Sequence, residues 1–290
     1  MSPDGGPAPA LIAALEERAQ RHRVGFEGGA VAWRCFGEGV PLVLLHGGHG
    51  SWLHWACNIA ALAEHHEVWV PDLPGYGASS TPARPTLDAI VEATSSTLDA
   101  LVGAGTSIGL AGFSFGGLVA AHLALHRGRV TGLALLGPAG HGGPRRPRGA
   151  LLSWREAYER QDAEALRDIM RHNLLMHMLH DPEAAGEAAL AIHTAACIET
   201  RFRSKPISRS GGLAECLSRF DGSLFLVWGE HDVTVHPEQA GEALVAGRGN
   251  GRTLIVPGAG HWVQFERAGA VNRLLLDWFS GMERPLEAEV

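Results

Sequence analysis

The chain has 290 residues, 46 % of them hydrophobic and 19 % charged, a balance that supplies a large buried core. A net charge of −7 argues against nucleic acid as a partner, because holding phosphates needs a basic surface. The four cysteines, Cys35, Cys57, Cys197 and Cys216, form no C-x-x-C pair and none lies at metal-ligand spacing from a histidine. Reduced thiols are therefore expected, with no metal and no cofactor. Lys205 is the single Lys. Residues 1–9 carry no Lys or Arg, and Leu11 to Leu15 is a short apolar stretch before Glu16-Glu17-Arg18, so no signal peptide is expected. No segment approaches the ~20 apolar residues of a membrane span, and the expectation is a cytoplasmic protein with no membrane partner.

Residues 1–10 are rich in Pro and Gly and read as mobile; Leu11 to Arg21 has helical spacing and reads as a short surface helix. Val31 to Phe36 reads as a strand, and Pro41 to Leu45 is a continuous apolar run that stops at His46-Gly47-Gly48. Such runs mark strands buried on both faces, as in a parallel sheet. The same pattern recurs at Val68–Val70, Ser107–Ala111, Val130–Leu136, Ser223–Trp228 and Arg252–Val256. Helical stretches lie between, at Thr86–Leu101, Phe115–His126, Pro237–Val245 and Ala268–Phe279. Alternation of this kind predicts a mostly parallel sheet with helices on both faces. Gly140 to Arg219 breaks the rhythm, with helical periodicity over 151–171 and 183–200 and no convincing strand. That stretch is too long for a loop and predicts a helical cap over the C-terminal edge of the sheet, where open α/β folds bind ligands. The expected organisation is an N-terminal segment at 1–22, a core at 23–139 and 216–285, and a cap at 140–215.

Gly112-Phe113-Ser114-Phe115-Gly116 falls between a buried strand and a helix, the context a nucleophile elbow requires. Glycines two before and two after the serine relieve the crowding of a tight turn. The turn aims the Phe115 N–H at the space above the serine, at a helix N-terminus that favours negative charge. A serine hydroxyl needs a base. His261, in Gly258-Ala-Gly-His261-Trp262, is assigned as that base, and Asp232, in Trp228-Gly-Glu-His-Asp232, as the group that orients it. Glu230 and Asp221 compete for the acid role. Gly48, in His46-Gly-Gly-His-Gly50, is the candidate second oxyanion donor. His46 is expected to bond to the loop backbone, and His49 and His54 are secondary candidates for the pocket.

With these residues in hand, the chain from Val24 to Phe279 resembles the α/β-hydrolase superfamily. Asp72-Leu-Pro-Gly-Tyr-Gly-Ala-Ser79 is similar to that family's structural D-x-P-G-x-G-x-S turn. The resemblance implies an α/β-hydrolase fold with an eight-stranded, mostly parallel sheet flanked by helices. Gly260-His261-Trp262-Val-Gln-Phe-Glu266 and Asn272-Arg-Leu-Leu-Leu-Asp277-Trp-Phe279 are similar to the C-terminal stretch of meta-cleavage product hydrolases, which hydrolyse a C–C bond in vinylogous diketones. That likeness implies that Trp262 helps to form the substrate pocket. The chain departs from the pattern at Phe113 and Phe115, which flank the serine where Asn and Met are usual, and in its oxyanion loop. The family's cap arginine has no clean counterpart, although Arg201-Phe-Arg203-Ser-Lys205 lies close by.

Those three cations read either as a solvated helix end or as a carboxylate-binding element. The substrate-binding candidates are thus Trp262, Phe113, His49, Arg201 and Arg203. The expected activity is hydrolysis of a small ester, or of a C–C bond beside a carbonyl, on a small-molecule substrate for which a carboxylate group is left open. A cofactor-free perhydrolase or haloperoxidase and a small-molecule receptor are the alternatives. A homo-oligomer is left open.

Overall fold

The computed structural model describes residues 9–281; of the mobile segment expected at residues 1–10, residues 1–8 lie outside them, as do the last core residues at 282–285, and Ala10 is instead the first residue of a helix. The elements in chain order are α1 (Ala10–Arg18), β1 (Gln20–Phe26), β2 (Gly29–Phe36), β3 (Val40–Leu45), α2 (Ile59–Leu62), β4 (His66–Pro71), α3 (Leu87–Val102), β5 (Ile108–Phe113), α4 (Phe115–Arg127) and β6 (Val130–Leu136). The stretch expected to form the cap follows as α5 (Arg155–Glu159), α6 (Ala163–His177), α7 (Glu187–Glu199), α8 (Lys205–Arg209) and α9 (Leu213–Ser218). The chain then returns to the core through β7 (Ser223–Gly229), α10 (Pro237–Val245), β8 (Gly251–Val256), α11 (Val263–Glu266) and α12 (Ala268–Ser280).

The strands form one eight-stranded sheet in the order β1-β2-β4-β3-β5-β6-β7-β8. Only β2 runs against its neighbours, pairing antiparallel with β1 and β4, and every pair from β4 to β8 is parallel. Each face of the sheet carries its own apolar layer. One holds Leu42, Leu44, Phe113 and Trp262, and the other holds Val43, Leu45, Phe115 and Trp228. Residues at alternate positions of a central strand thus feed opposite layers, as the pleat requires.

Two boundaries differ from the sequence expectation. The core begins at Gln20, with an edge strand the apolar pattern did not reveal, and α1 buries Leu15 in the core. In the cap, the helix expected over 151–171 is two helices, α5 and α6. The break falls where Gln161 adopts φ +57° and the Asp162 carboxylate accepts the Ala165 N–H at 3.0 Å, capping α6. Among the described residues, no helix is long and apolar enough to cross a membrane.

Candidate active site

The turn between β5 and α4 holds Ser114 at φ +52° and ψ −115°, a conformation that side chains rarely adopt and that persists only under tight packing. The packing is visible at the flanking glycines. A Cβ on Gly112 would lie 2.3 Å from the Gly116 carbonyl oxygen, and one on Gly116 would lie 2.3 Å from that of His46. No larger residue fits either position, so the serine is lifted clear of strand and helix and its hydroxyl stands free of the backbone.

His261 and Asp232 reach it from the loops after β8 and β7. Ser114 Oγ lies 2.9 Å from His261 Nε2, and His261 Nδ1 lies 2.7 Å from Asp232 Oδ2. Both partners are buried. Burial works to raise the Asp232 carboxyl, but the facing imidazole and the Thr234 hydrogen bonds outweigh it and hold the group below the usual carboxylate range. Glu230 and Asp221 are not part of this chain of contacts. The Glu230 carboxylate instead accepts the Gly258 N–H at 2.9 Å, and the Asp221 carbonyl accepts from Asn250.

The loop after β3 faces the elbow. A Cβ on Gly48 would stand 3.7 Å from the Phe115 Cβ, and one on Gly47 would stand 3.1 Å from the Ser114 Cβ. The Gly47 N–H donates to His54 Nδ1 at 3.2 Å. The Gly48 N–H has no acceptor among the described residues, and the Phe115 N–H opens α4, where no intrahelical acceptor exists. Two unspent donors therefore flank Ser114. His46 fixes this loop: its Nε2 accepts the Leu73 N–H at 2.9 Å, leaving Nδ1 to donate to the Gly47 carbonyl at 2.8 Å. Burial lowers its pKa, consistent with a neutral ring.

The structure corrects several pocket candidates. Trp262 and Phe113 are fully buried and offer no surface to a ligand. Trp262 spends its indole N–H on the His54 carbonyl at 2.9 Å, and the Phe113 ring packs 5.0 Å from that of His261. Both brace the site from behind. Arg201 points away from Ser114, and its guanidinium donates to the carbonyls of Gly77 at 2.9 Å and Ser79 at 2.5 Å. It lines a separate cleft of about 710 Å³ with Arg34, Asp72 and Glu199, whose walls include neither Ser114 nor His261. Arg203 is exposed with no hydrogen bond among the described residues. Phe202 lies in a bend and Ser204 has helical backbone angles just before α8, and these two are the buried residues of the run. The Phe202 ring stacks 5.8 Å from that of Phe115, and the Ser204 Oγ would lie 2.4 Å from a Cβ on Gly48. His49 is exposed, at φ +51°.

Three residues around the site were not among the candidates from sequence: Thr234, which bonds the Asp232 carboxylate; Glu266, which ties the His261 loop to the cap; and His177, whose ring faces that of His261. Only Thr234 had a readable cue, two residues after Asp232, where an Asx-type turn closes.

A family model described as alpha/beta hydrolase fold matches residues 40–268. The chain belongs to the alpha/beta hydrolase family. A dihydrolipoyllysine-residue acetyltransferase component of the acetoin cleaving system of Pseudomonas putida is 32 % identical over 249 residues, 82 % of this chain and 63 % of that protein. A 2-hydroxy-6-oxo-6-phenylhexa-2,4-dienoate hydrolase of Burkholderia cepacia is 28 % identical over 264 residues, 84 % of this chain and 89 % of that one. The match thus spans less than two thirds of the first of these relatives. Among solved structures, a thermophilic esterase from Thermogutta terrifontis superposes with a TM-score of 0.71 at 23 % identity, over 92 % of this chain and 100 % of that one. It shares the alpha/beta hydrolase fold. Esterases and meta-cleavage product hydrolases both occur among the alpha/beta hydrolases that this chain resembles.

Proposed function

We propose that the protein is a cofactor-free serine hydrolase that cleaves a small ester, or a C–C bond adjacent to a carbonyl, with Ser114 as nucleophile, His261 as base and acid, and Asp232 as the group that orients His261. The observation that carries this reading is the unbroken line of contacts from Ser114 Oγ through His261 to Asp232, at 2.9 and 2.7 Å.

The chemistry follows from that line. As Ser114 Oγ attacks the substrate carbonyl carbon, its proton passes to His261 Nε2. The imidazolium so formed is stabilised by Asp232, which stays ionised. The carbonyl oxygen becomes an oxyanion and is received by the N–H groups of Gly48 and Phe115, the latter at the positive end of α4. Collapse expels the leaving group, which takes the proton from His261. Water then attacks the acyl-serine by the same route and releases the acid.

The test is labelling and turnover. A fluorophosphonate probe is expected to modify Ser114, and p-nitrophenyl acetate to be hydrolysed, with both lost in Ser114→Ala. Turnover of a 2-hydroxy-6-oxo-dienoate alongside the ester distinguishes C–C from ester cleavage. Activity that requires peroxide would replace the hydrolase reading with a perhydrolase one. Folded protein that takes no probe and turns over nothing would leave a receptor.

A further inference from the structure

The cap brings a second imidazole up to His261. His177 ends α6, and its ring centroid lies 5.6 Å from that of His261 with the planes 36° apart. The backbone around it fixes this placement. The Trp262 N–H donates to the Met178 carbonyl at 2.7 Å, so the residue after His261 is bonded to the residue after His177. A Cβ on Gly260 would meet the His180 nitrogen at 2.7 Å, which shows how closely the two segments run. Glu266 completes the join. Its Oε1 accepts the N–H groups of His180 at 2.9 Å and Asp181 at 2.5 Å, and its Oε2 accepts that of Gly260 at 2.6 Å. One buried carboxylate thus clamps the cap end to the His261 loop.

The His177 Nδ1 is buried and has no hydrogen-bond partner among the described residues, while the ring as a whole is only half-buried. An enclosed N–H without an acceptor is rarer and costlier than an unused acceptor, so the ring proton belongs on Nε2, at the more open edge. Burial, reinforced by the facing His261 and by Arg148, holds the His177 pKa well below the ordinary histidine value. The ring is therefore a neutral donor beside His261, and the acyl-transfer steps leave it unused.

We propose that His177 is a specificity-determining residue whose Nε2–H donates to an acceptor oxygen on the leaving-group side of the substrate. The proposal rests on the assignment of Ser114 and His261 above, because His261 is the group that hands its proton to the leaving group. The class of substrate it selects carries an oxygen a few bonds beyond the cleaved bond, as an ether, keto or carboxylate group. The charges of Arg148 and Arg145 reach His177 and that of the Asp232 carboxylate opposes them, so the selection is for an acceptor oxygen rather than for net charge.

A pair of isosteric esters tests this: 2-methoxyethyl acetate against butyl acetate, which differ by an oxygen in place of a methylene. His177→Phe is expected to lower the ratio of their kcat/KM values by roughly 2- to 10-fold, the worth of one hydrogen bond. His177→Gln, whose amide N–H reaches toward the Nε2 position, is expected to recover a large part of it. His177→Asn, too short to reach, serves as the loss variant if the Phe variant does not fold. A fall in both rates with the ratio unmoved would mean a structural role only and would overturn the proposal. So would a ratio unmoved in every variant. Wild-type protein that takes no fluorophosphonate and hydrolyses neither ester would instead contradict the underlying assignment of Ser114.

Discussion

Thr234 and His261 divide the Asp232 carboxylate between them, one oxygen each. Asp232 Oδ1 accepts the backbone N–H and the hydroxyl of Thr234, both at 2.7 Å, while Oδ2 faces His261 Nδ1 at 2.7 Å. The carboxylate is thereby held in the plane that His261 needs and kept ionised in a buried place. Thr234→Val removes one of these bonds to a charged acceptor, worth about 1.5–3 kcal/mol. The expected result is a fall in kcat/KM of about 10-fold or more with the fold intact. Unchanged kinetics would show that the Thr234 N–H alone suffices.

Stability is expected to decline in mild acid, and the histidines set the window. Burial, with His49 adding to it, pushes His193 down to about 4, whereas an unfolded histidine titrates near 6.5. Between these values the unfolded chain binds a proton that the folded one refuses, so stability rises with pH across that range and is fully present above it. The limiting contribution is on the order of 3 kcal/mol. His46, His54 and His177 are shifted in the same direction by burial. Urea unfolding at pH 7 and pH 5 measures this, and His193→Gln is expected to flatten the difference. Equal stability at both pH values would contradict the buried neutral state of these rings.

Arg201 is expected to act on stability rather than on substrate. Its guanidinium fastens the cap to the turn at Gly77 and Ser79, and the backbone N–H groups of Arg201 and Phe202 both donate to the Gly75 carbonyl, at 2.9 and 3.1 Å. Arg201→Ala is predicted to cost about 1–3 kcal/mol, a drop in Tm of several degrees. KM values for a neutral and an acidic ester are expected to stay within about 2-fold of wild type. A rise confined to the acidic ester would return Arg201 to the substrate.

The central strands were legible because burial on both faces leaves no room for polar residues; Pro41 to Leu45 and Ser223 to Trp228 could hardly be anything else. The first edge strand leaves no continuous apolar run in the sequence because it is half solvated. In Gln20 to Phe26 only alternate residues, His22, Val24 and Phe26, turn inward, and none is fully buried. At the site, Ser114, Asp232 and His261 were readable because their chemistry is tied to fixed positions at strand ends, and the structure brings those three together. The direction in which a cap side chain points is set by contacts distant in sequence. Charge singles out Arg201 and Arg203, whereas Phe202 and Ser204 are the residues that pack against Phe115 and Gly48. Trp262 and Phe113 likewise look available by position, and only their packing against His54 and His261 shows them enclosed.

The alternation over residues 201–205 places an aromatic ring and a hydroxyl above Gly48 and Phe115 and turns three cations outward. Phe202 is seated against Gly75, where φ is +88° and an added Cβ would lie 2.7 Å from the Phe202 Cβ. The cover over the oxyanion loop therefore depends on a single glycine in the distant turn after β4, and any side chain there would push Phe202 off Phe115 with the triad and its loops untouched.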